Sequence, residues 1–236
     1  MLGRRIVVAC LLLAALVVAA IVLLLREGAI PVSWSPLPAL NLAEPDNWFL
    51  DWRLAEVGRD ARLCARVLTP PWIEATAVAD VARKDGCGWS NGVRMRAAGG
   101  ARLHADPITC ELAAGLALWL AHEVQPRAQA MLGAKVTAIQ HFGGYSCRNI
   151  KGNPIWADVR SQHARANALD IAAFTLANGR QVSVARHWTG DSPEGRFLHA
   201  IHASACRYFR VAVGPDYNIL HRNHFHYDRG RYRACK

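Results

Sequence analysis

The hydrophobic pattern changes character twice along the chain. Residues Ile6 to Leu25 form an uninterrupted apolar run of twenty residues, enough to span a bilayer core of roughly 30 Å. Arg4 and Arg5 precede it, which favours an N-terminus held in the cytoplasm. A cleavable signal peptide is the rival reading, because Val18-Ala19-Ala20 offers small residues for cleavage. Five more apolar residues follow before Arg26, and that length favours an uncleaved single-pass anchor over residues 1–27. Residues 28–46 hold four prolines, Pro31, Pro36, Pro38 and Pro45, and read as an extended tether. The folded domain is expected over residues 47–236.

Within the domain, Asp106-Pro107 reads as a helix N-cap followed by proline at the first helical position. Leu112, Leu116, Trp119, Leu120 and Val124 then recur at helical spacing, with Pro126 as the limit. A second helix opens at Ser192-Pro193-Glu194 and turns Phe197, Leu198, Ile201 and Tyr208 inward. Strands are expected over 134–140, 168–176, 181–185, 209–213 and 222–228, and Asn178-Gly179 supplies a hairpin turn. This mixed order predicts an α+β domain with a small antiparallel sheet and flanking helices.

Cysteine usage agrees with an anchored, extracytoplasmic domain. Cys10 lies in the apolar run, and Cys64, Cys87, Cys110, Cys147, Cys206 and Cys235 lie beyond it with no C-x-x-C pair. Six scattered cysteines in a translocated domain read as three disulfides, with free buried thiols as the alternative. A sequential pairing, 64–87, 110–147 and 206–235, pins each loop to its neighbour. The net charge of +10 favours anionic partners such as lipid head groups or wall polymer. Nucleic acid is excluded behind a membrane anchor, and a merely solvated basic surface accounts for the charge equally well.

Two segments carry candidate chemistry. His221-Arg-Asn-His224-Phe-His226-Tyr-Asp228 holds three of the ten histidines within six residues. On a strand, His224, His226 and Asp228 face one way and Phe225 and Tyr227 the other. The second segment, Ser161 to Asp170, supplies His163 and a carboxylate seven positions on, set among apolar neighbours. A buried lone charge there needs a metal or an arginine partner. His, Asp and His with one open position is a catalytic zinc pattern. Histidines on a solvated edge are the plain alternative. Trp156, Trp188 and Tyr145 either line a groove or pack in the core, the commoner fate of half-buried aromatics.

Ser161-x-His163-x-x-Ala166-x-Ala168-x-Asp170 resembles the S-x-H-x-x-G-x-A-x-D signature of the D-Ala-D-Ala metallopeptidases, and His224-x-His226 resembles their closing H-x-H. Together with Gly86-Cys87-Gly88 and Gly144-Tyr145-Ser146-Cys147-Arg148, the chain from about Cys64 to Cys235 is most similar to the bacterial extensin-like C-terminal domain family. The resemblance implies a Hedgehog/D-Ala-D-Ala peptidase-like fold with zinc held by His163, Asp170 and His226. It implies that His224 hydrogen-bonds a developing oxyanion, and that Arg148 and Ser161 orient a substrate carboxylate or peptide. Two positions depart from the signature. Ala166 replaces its glycine, and Asn223 stands where many relatives carry a glutamate base. His221 is the substitute base, in an H-x-x-H-x-H arrangement that resembles the penicillin-insensitive murein endopeptidases.

The expected function is therefore a zinc-dependent D,D- or L,D-peptidase acting on peptidoglycan peptides, anchored in the bacterial inner membrane with its domain in the periplasm. A non-catalytic, zinc-stabilised wall- or partner-binding module is the alternative, since fold resemblance does not settle activity.

Overall fold

A computed structural model of the chain describes residues 2–27, 39–45, 49–82, 85–152 and 154–236. The chain divides into two compact units after residue 38. The first contains helix α1 (Leu2–Glu27). Its segment Gly3–Leu24 has a mean hydropathy of 3.4 and is long and apolar enough to cross a membrane. Of the expected tether, residues 28–38 and 46 lie outside the described residues. Residues 39–45 belong to the second unit, where Leu42 is buried and its carbonyl meets His122 Nε2 at 2.9 Å. The folded unit thus starts at Ala39, ahead of the expected Asn47.

The second unit is α+β, as the pattern predicts. Helices α2 (Leu50–Arg59) and α3 (Ala61–Val67) lead into β1 (Ile73–Val78), β2 (Val81–Ala82), β3 (Gly88–Trp89), β4 (Gly92–Ala98) and β5 (Ala101–Thr109). Helices α4 (Cys110–Trp119) and α5 (Gln125–Leu132) follow, then β6 (Val136–His141), β7 (Ala168–Leu176) and β8 (Gln181–Ser183). The chain closes with α6 (Val184–His187), α7 (Pro193–Ala205), β9 (Val211–Val213), β10 (Phe225–Asp228) and β11 (Ala234–Cys235). The sheet is larger than the small one expected: nine strands run in the order β1-β4-β5-β6-β7-β10-β9-β11, with β8 on β7. Its pairs are antiparallel except β5–β6 and β9–β11. The added strands β4 and β5 alternate cleanly, with Val93, Met95, Leu103 and Ala105 buried and Arg94, Arg96, Arg102 and His104 turned outward or partly so. That period of two stands in the sequence, absent from the expectations above.

Two helix boundaries differ from expectation. Asp106-Pro107 does not start a helix. Both residues belong to β5, and Pro107 sits where the ladder with β4 shifts between Val93/Ile108 and Met95/Ala105, so its missing N–H costs no pairing. Thr109 is the N-cap instead, accepting from Leu112 N at 3.4 Å. Nor does Pro126 end the helical run. A wider π-type turn over Leu120–Val124 leads into α5, and Pro126 occupies its first turn, where an N–H is dispensable. Helix α7 begins as expected, its N-cap Ser192 accepting from Gly195 N.

Helix α4 is buried on nearly every side rather than along one stripe. Trp119 stands at the centre, with Phe209 and Tyr227 rings 6.0 and 5.2 Å away and its indole N–H donating to Ile201 O. Burying such rings supplies most of the drive for folding, on the order of 2–3 kcal/mol each. Phe225 and Tyr227 lie within this core and fix which way β10 faces.

Three disulfides form, but only Cys206–Cys235 follows the sequential pairing. The others are Cys64–Cys110 and Cys87–Cys147. Cys64 on α3 meets the start of α4, and the loop at Cys87 meets the loop at Cys147. Helix and sheet packing, not chain proximity, decides the partners.

Candidate metal centre

Strands β7 and β10 are neighbours, and their register places Asp170 directly opposite His226. His163 arrives from the short 3₁₀ turn Gln162–Arg165 just before β7, held by two local devices. Ser161 caps the turn, accepting from His163 N at 3.3 Å. Ala166 ends it with φ 54° and ψ 24°, the left-handed conformation that suits the glycine of the signature. An alanine there costs about 1–2 kcal/mol, and the turn nevertheless forms.

The result is a tight triangle. His163 Nε2 lies 3.1 Å from Asp170 Oδ1 and 3.2 Å from His226 Nδ1, and His226 Nδ1 lies 2.9 Å from Asp170 Oδ1. No arginine pairs with Asp170 among the described residues. The outer ring nitrogens decide the chemistry. His163 Nδ1 faces the Gly144 carbonyl at 3.1 Å, and His226 Nε2 faces Asp228 Oδ2 at 3.1 Å. Both partners only accept, so both outer nitrogens carry protons. In the neutral rings the inner nitrogens then aim lone pairs at a carboxylate oxygen. Three lone pairs converging on one point repel unless a cation sits among them, and a proton or a metal ion fills that role. A tetrahedral metal with bonds of about 2.0–2.1 Å spaces its donors by roughly 3.3 Å, close to the spacing here. These three residues fit a metal ion. Asp85, Cys87 and Cys147 also cluster, but the two sulfurs are bonded to each other.

Without a metal the charges settle accordingly. Burial disfavours the Asp170 anion, yet the close approach of His163 and the hydrogen bond from His226 outweigh it and hold the carboxyl well below the ordinary range. Burial likewise opposes charge on His226, but Asp170 and Asp228 lift it to about 9.

His221 and His224 flank the triangle. The His221 ring lies 5.2 Å from that of His224 and 5.9 Å from that of His226. Its Nδ1 donates to Asn218 Oδ1 at 2.8 Å, leaving the Nε2 lone pair free. Burial, then the charges of His226 and His224, lower it to about 4, so it is a neutral base at neutral pH. His224 donates from Nδ1 to Asn223 Oδ1 at 2.9 Å and sets Nε2 3.7 Å from Asp170 Oδ1. Burial lowers its pKa too, against the pull of Asp170. Arg148 is half-buried, and among the described residues its guanidinium makes one long contact, 3.5 Å, to Asn149 O.

Asp170, His226, His221, His224, Ser161 and Arg148 line one cleft of about 940 Å³, and the buried His163 does not. Trp156 joins the lining, its ring 4.8 Å from that of Tyr232. Trp188 is buried against Phe225, and Tyr145 packs edge-on to Trp89 at 5.0 Å, so neither lines the cleft. Asp228 completes the site. Its place on the His224/His226 face was legible, and its hydrogen bond to His226 was not.

An α+β domain with a His-Asp-His triangle at the floor of a cleft is the class that fold and site define. The family model of the extensin-like protein C-terminus matches residues 62–236, and the chain belongs to that family. No curated protein and no solved structure matches it.

Proposed function

We propose that the chain is a zinc-dependent hydrolase that cuts peptidoglycan peptides at D,D- or L,D-bonds from the periplasmic side of the inner membrane. The observation that carries this reading is the triangle itself: three lone pairs within 3.2 Å, with both histidines oriented from behind by Gly144 O and Asp228. Zinc suits this mixed nitrogen and oxygen set. A zinc ion held there supplies Lewis acidity and lowers the pKa of water to about 7. His221, already in the tautomer with a free Nε2, takes the proton from the attacking water. Arg148 meets the peptide's carboxylate, and Ser161 keeps His163 in place. The apolar helix and three disulfides support an anchored domain in an oxidising compartment.

A second reading, a zinc-stabilised module that binds wall peptides without cutting them, has two observations in its favour. Among the described residues, the carboxylates lining the cleft are Asp170 and Asp228 alone. His224, with Nδ1 committed to Asn223, can donate to an oxyanion only after gaining a proton that burial opposes.

The test uses the full chain in detergent. Bound zinc is measured by elemental analysis in the parent and in His163→Ala, alongside fragment release from purified peptidoglycan. One zinc per chain, lost in the variant, with zinc-dependent release supports the hydrolase. Zinc without release supports the module, and no zinc removes both.

A further inference from the structure

The cleft is strongly cationic: eight basic side chains line it against two carboxylates. Much of that charge has a structural job. Arg210, Arg229 and Arg233 converge on Asp51 at 2.9, 2.9 and 2.6 Å, and Arg229 also reaches Glu111 at 2.9 Å. Those ion pairs tie the approach to β9 and the segment after β10 to helices α2 and α4. Arg160 is spent on neutral acceptors, Asp85 O at 2.8 Å and Asn149 Oδ1 at 3.0 Å.

Arg165 and Arg231 differ. Both are exposed, both line the cleft, and neither has a carboxylate partner among the described residues. They sit on segments packed against each other. Arg229 N donates to Asn167 O at 3.2 Å, and a Cβ on Gly230 would meet Gln162 Cδ at 2.6 Å, so these two stretches are in contact. Arg165 follows His163 by two residues, and Arg231 follows Asp228 by three. Arg148 lines the same cleft and is the guanidinium assigned above to the peptide's carboxylate.

We propose that Arg165 and Arg231 form a second anion subsite in this cleft, taking a side-chain carboxylate of the peptide distinct from the carboxylate that meets Arg148. This deepens the peptidase reading and rests on it for the peptide, though not for the subsite. The substrate class is then a peptide with at least two carboxylates, one at its terminus and one on a side chain. Unpaired guanidinium groups at the mouth of a low-dielectric cleft recognise carboxylates by paired N–H donors and draw anions in.

The experiment uses the zinc-loaded full chain in detergent and two fluorescein-labelled synthetic pentapeptides ending in D-Ala-D-Ala. One has a free side-chain carboxylate on the third residue and the other has it amidated. Binding is read by polarisation in the parent and in an Arg165→Gln/Arg231→Gln variant, with zinc content measured in both. The acid peptide should bind about three- to tenfold tighter than the amide, the sum of two exposed ion pairs. That preference should fall to near parity in the variant and in high salt, at unchanged zinc content. Equal binding of acid and amide by the parent, a preference that survives in the variant, or no binding of either peptide overturns the subsite. Cleavage is followed in the same samples. A preference without cleavage keeps the subsite and removes the peptidase, and cleavage without a preference does the reverse.

Discussion

In the metal-free chain, His226 is held protonated by Asp170 and Asp228, with its pKa raised to about 9. A raised histidine pKa contributes stability that is fully present below 6.5 and is lost as pH rises through about 9, about 3 kcal/mol in all. A metal needs the same Nδ1 lone pair, so it competes with that proton. At pH 7 the site lies about two units below the raised value, and displacing the proton costs about 3 kcal/mol, or roughly a hundredfold in apparent affinity. Zinc binding should therefore strengthen about tenfold per unit between pH 7 and pH 9 and then level off. Competition with a chromophoric chelator, corrected for the chelator's own protonation, measures this on the full chain. Calorimetry at pH 7 in two buffers of different ionisation enthalpy should report about one proton released per zinc. Asp228→Asn keeps an acceptor for Nε2 but removes one charge that raises the pKa. The slope should then flatten at lower pH, while affinity on the plateau drops about 10–100-fold through the weakened outer contact. Equal zinc affinity at pH 7 and pH 9 in the parent, with no proton released, refutes the reasoning.

Three further outcomes follow from the structure. Peptide mapping under non-reducing conditions should return Cys64–Cys110, Cys87–Cys147 and Cys206–Cys235, and removing Cys64 and Cys110 together should cost about 4 kcal/mol in denaturant unfolding, from the loop it closes. Ala166→Gly should leave stability within about 1 kcal/mol of the parent, since relief of the left-handed backbone offsets lost chain stiffness and a buried methyl. Ala166→Val should cost about 3 kcal/mol or more by thermal melting, because a β-branched side chain is poorly tolerated at φ 54° in a buried turn. His221→Ala should keep its zinc and lose hydrolysis. At saturating zinc the parent's acid limb should lie below pH 6.5, since burial and nearby positive charge hold His221 below its ordinary value, and a limb at 6.5 would assign the base elsewhere.

The site is partly legible in the sequence because strand periodicity is local. Given a strand through residues 225–228, alternation alone sends Phe225 and Tyr227 to the core and His226 to the cleft. Apolar neighbours around Asp170 announce a carboxylate that needs a partner. Ser192-Pro193 starts α7 for reasons contained in three residues. The misreadings fall where local signals compete. Asp106-Pro107 carries a helix-start pattern, yet pairing with β4 across a register shift claims it for a strand. Pro126 carries a stop signal that a wider turn and the packing of α4 override.

The sequence by itself determined the apolar helix, the α+β class, the face of β10 and the residue types able to bind a metal, because each depends on spacing along a few residues. Only the tertiary structure decided that Asp170 stands opposite His226, that Gly144 O and Asp228 turn both histidines inward, and that Cys64 bonds Cys110. It also separated the arginines that hold Asp51 from Arg165 and Arg231. Apart from the Asp228–His226 contact within β10, these are relations between segments 19 to 182 residues apart, fixed by sheet register and core packing, and no local pattern encodes them.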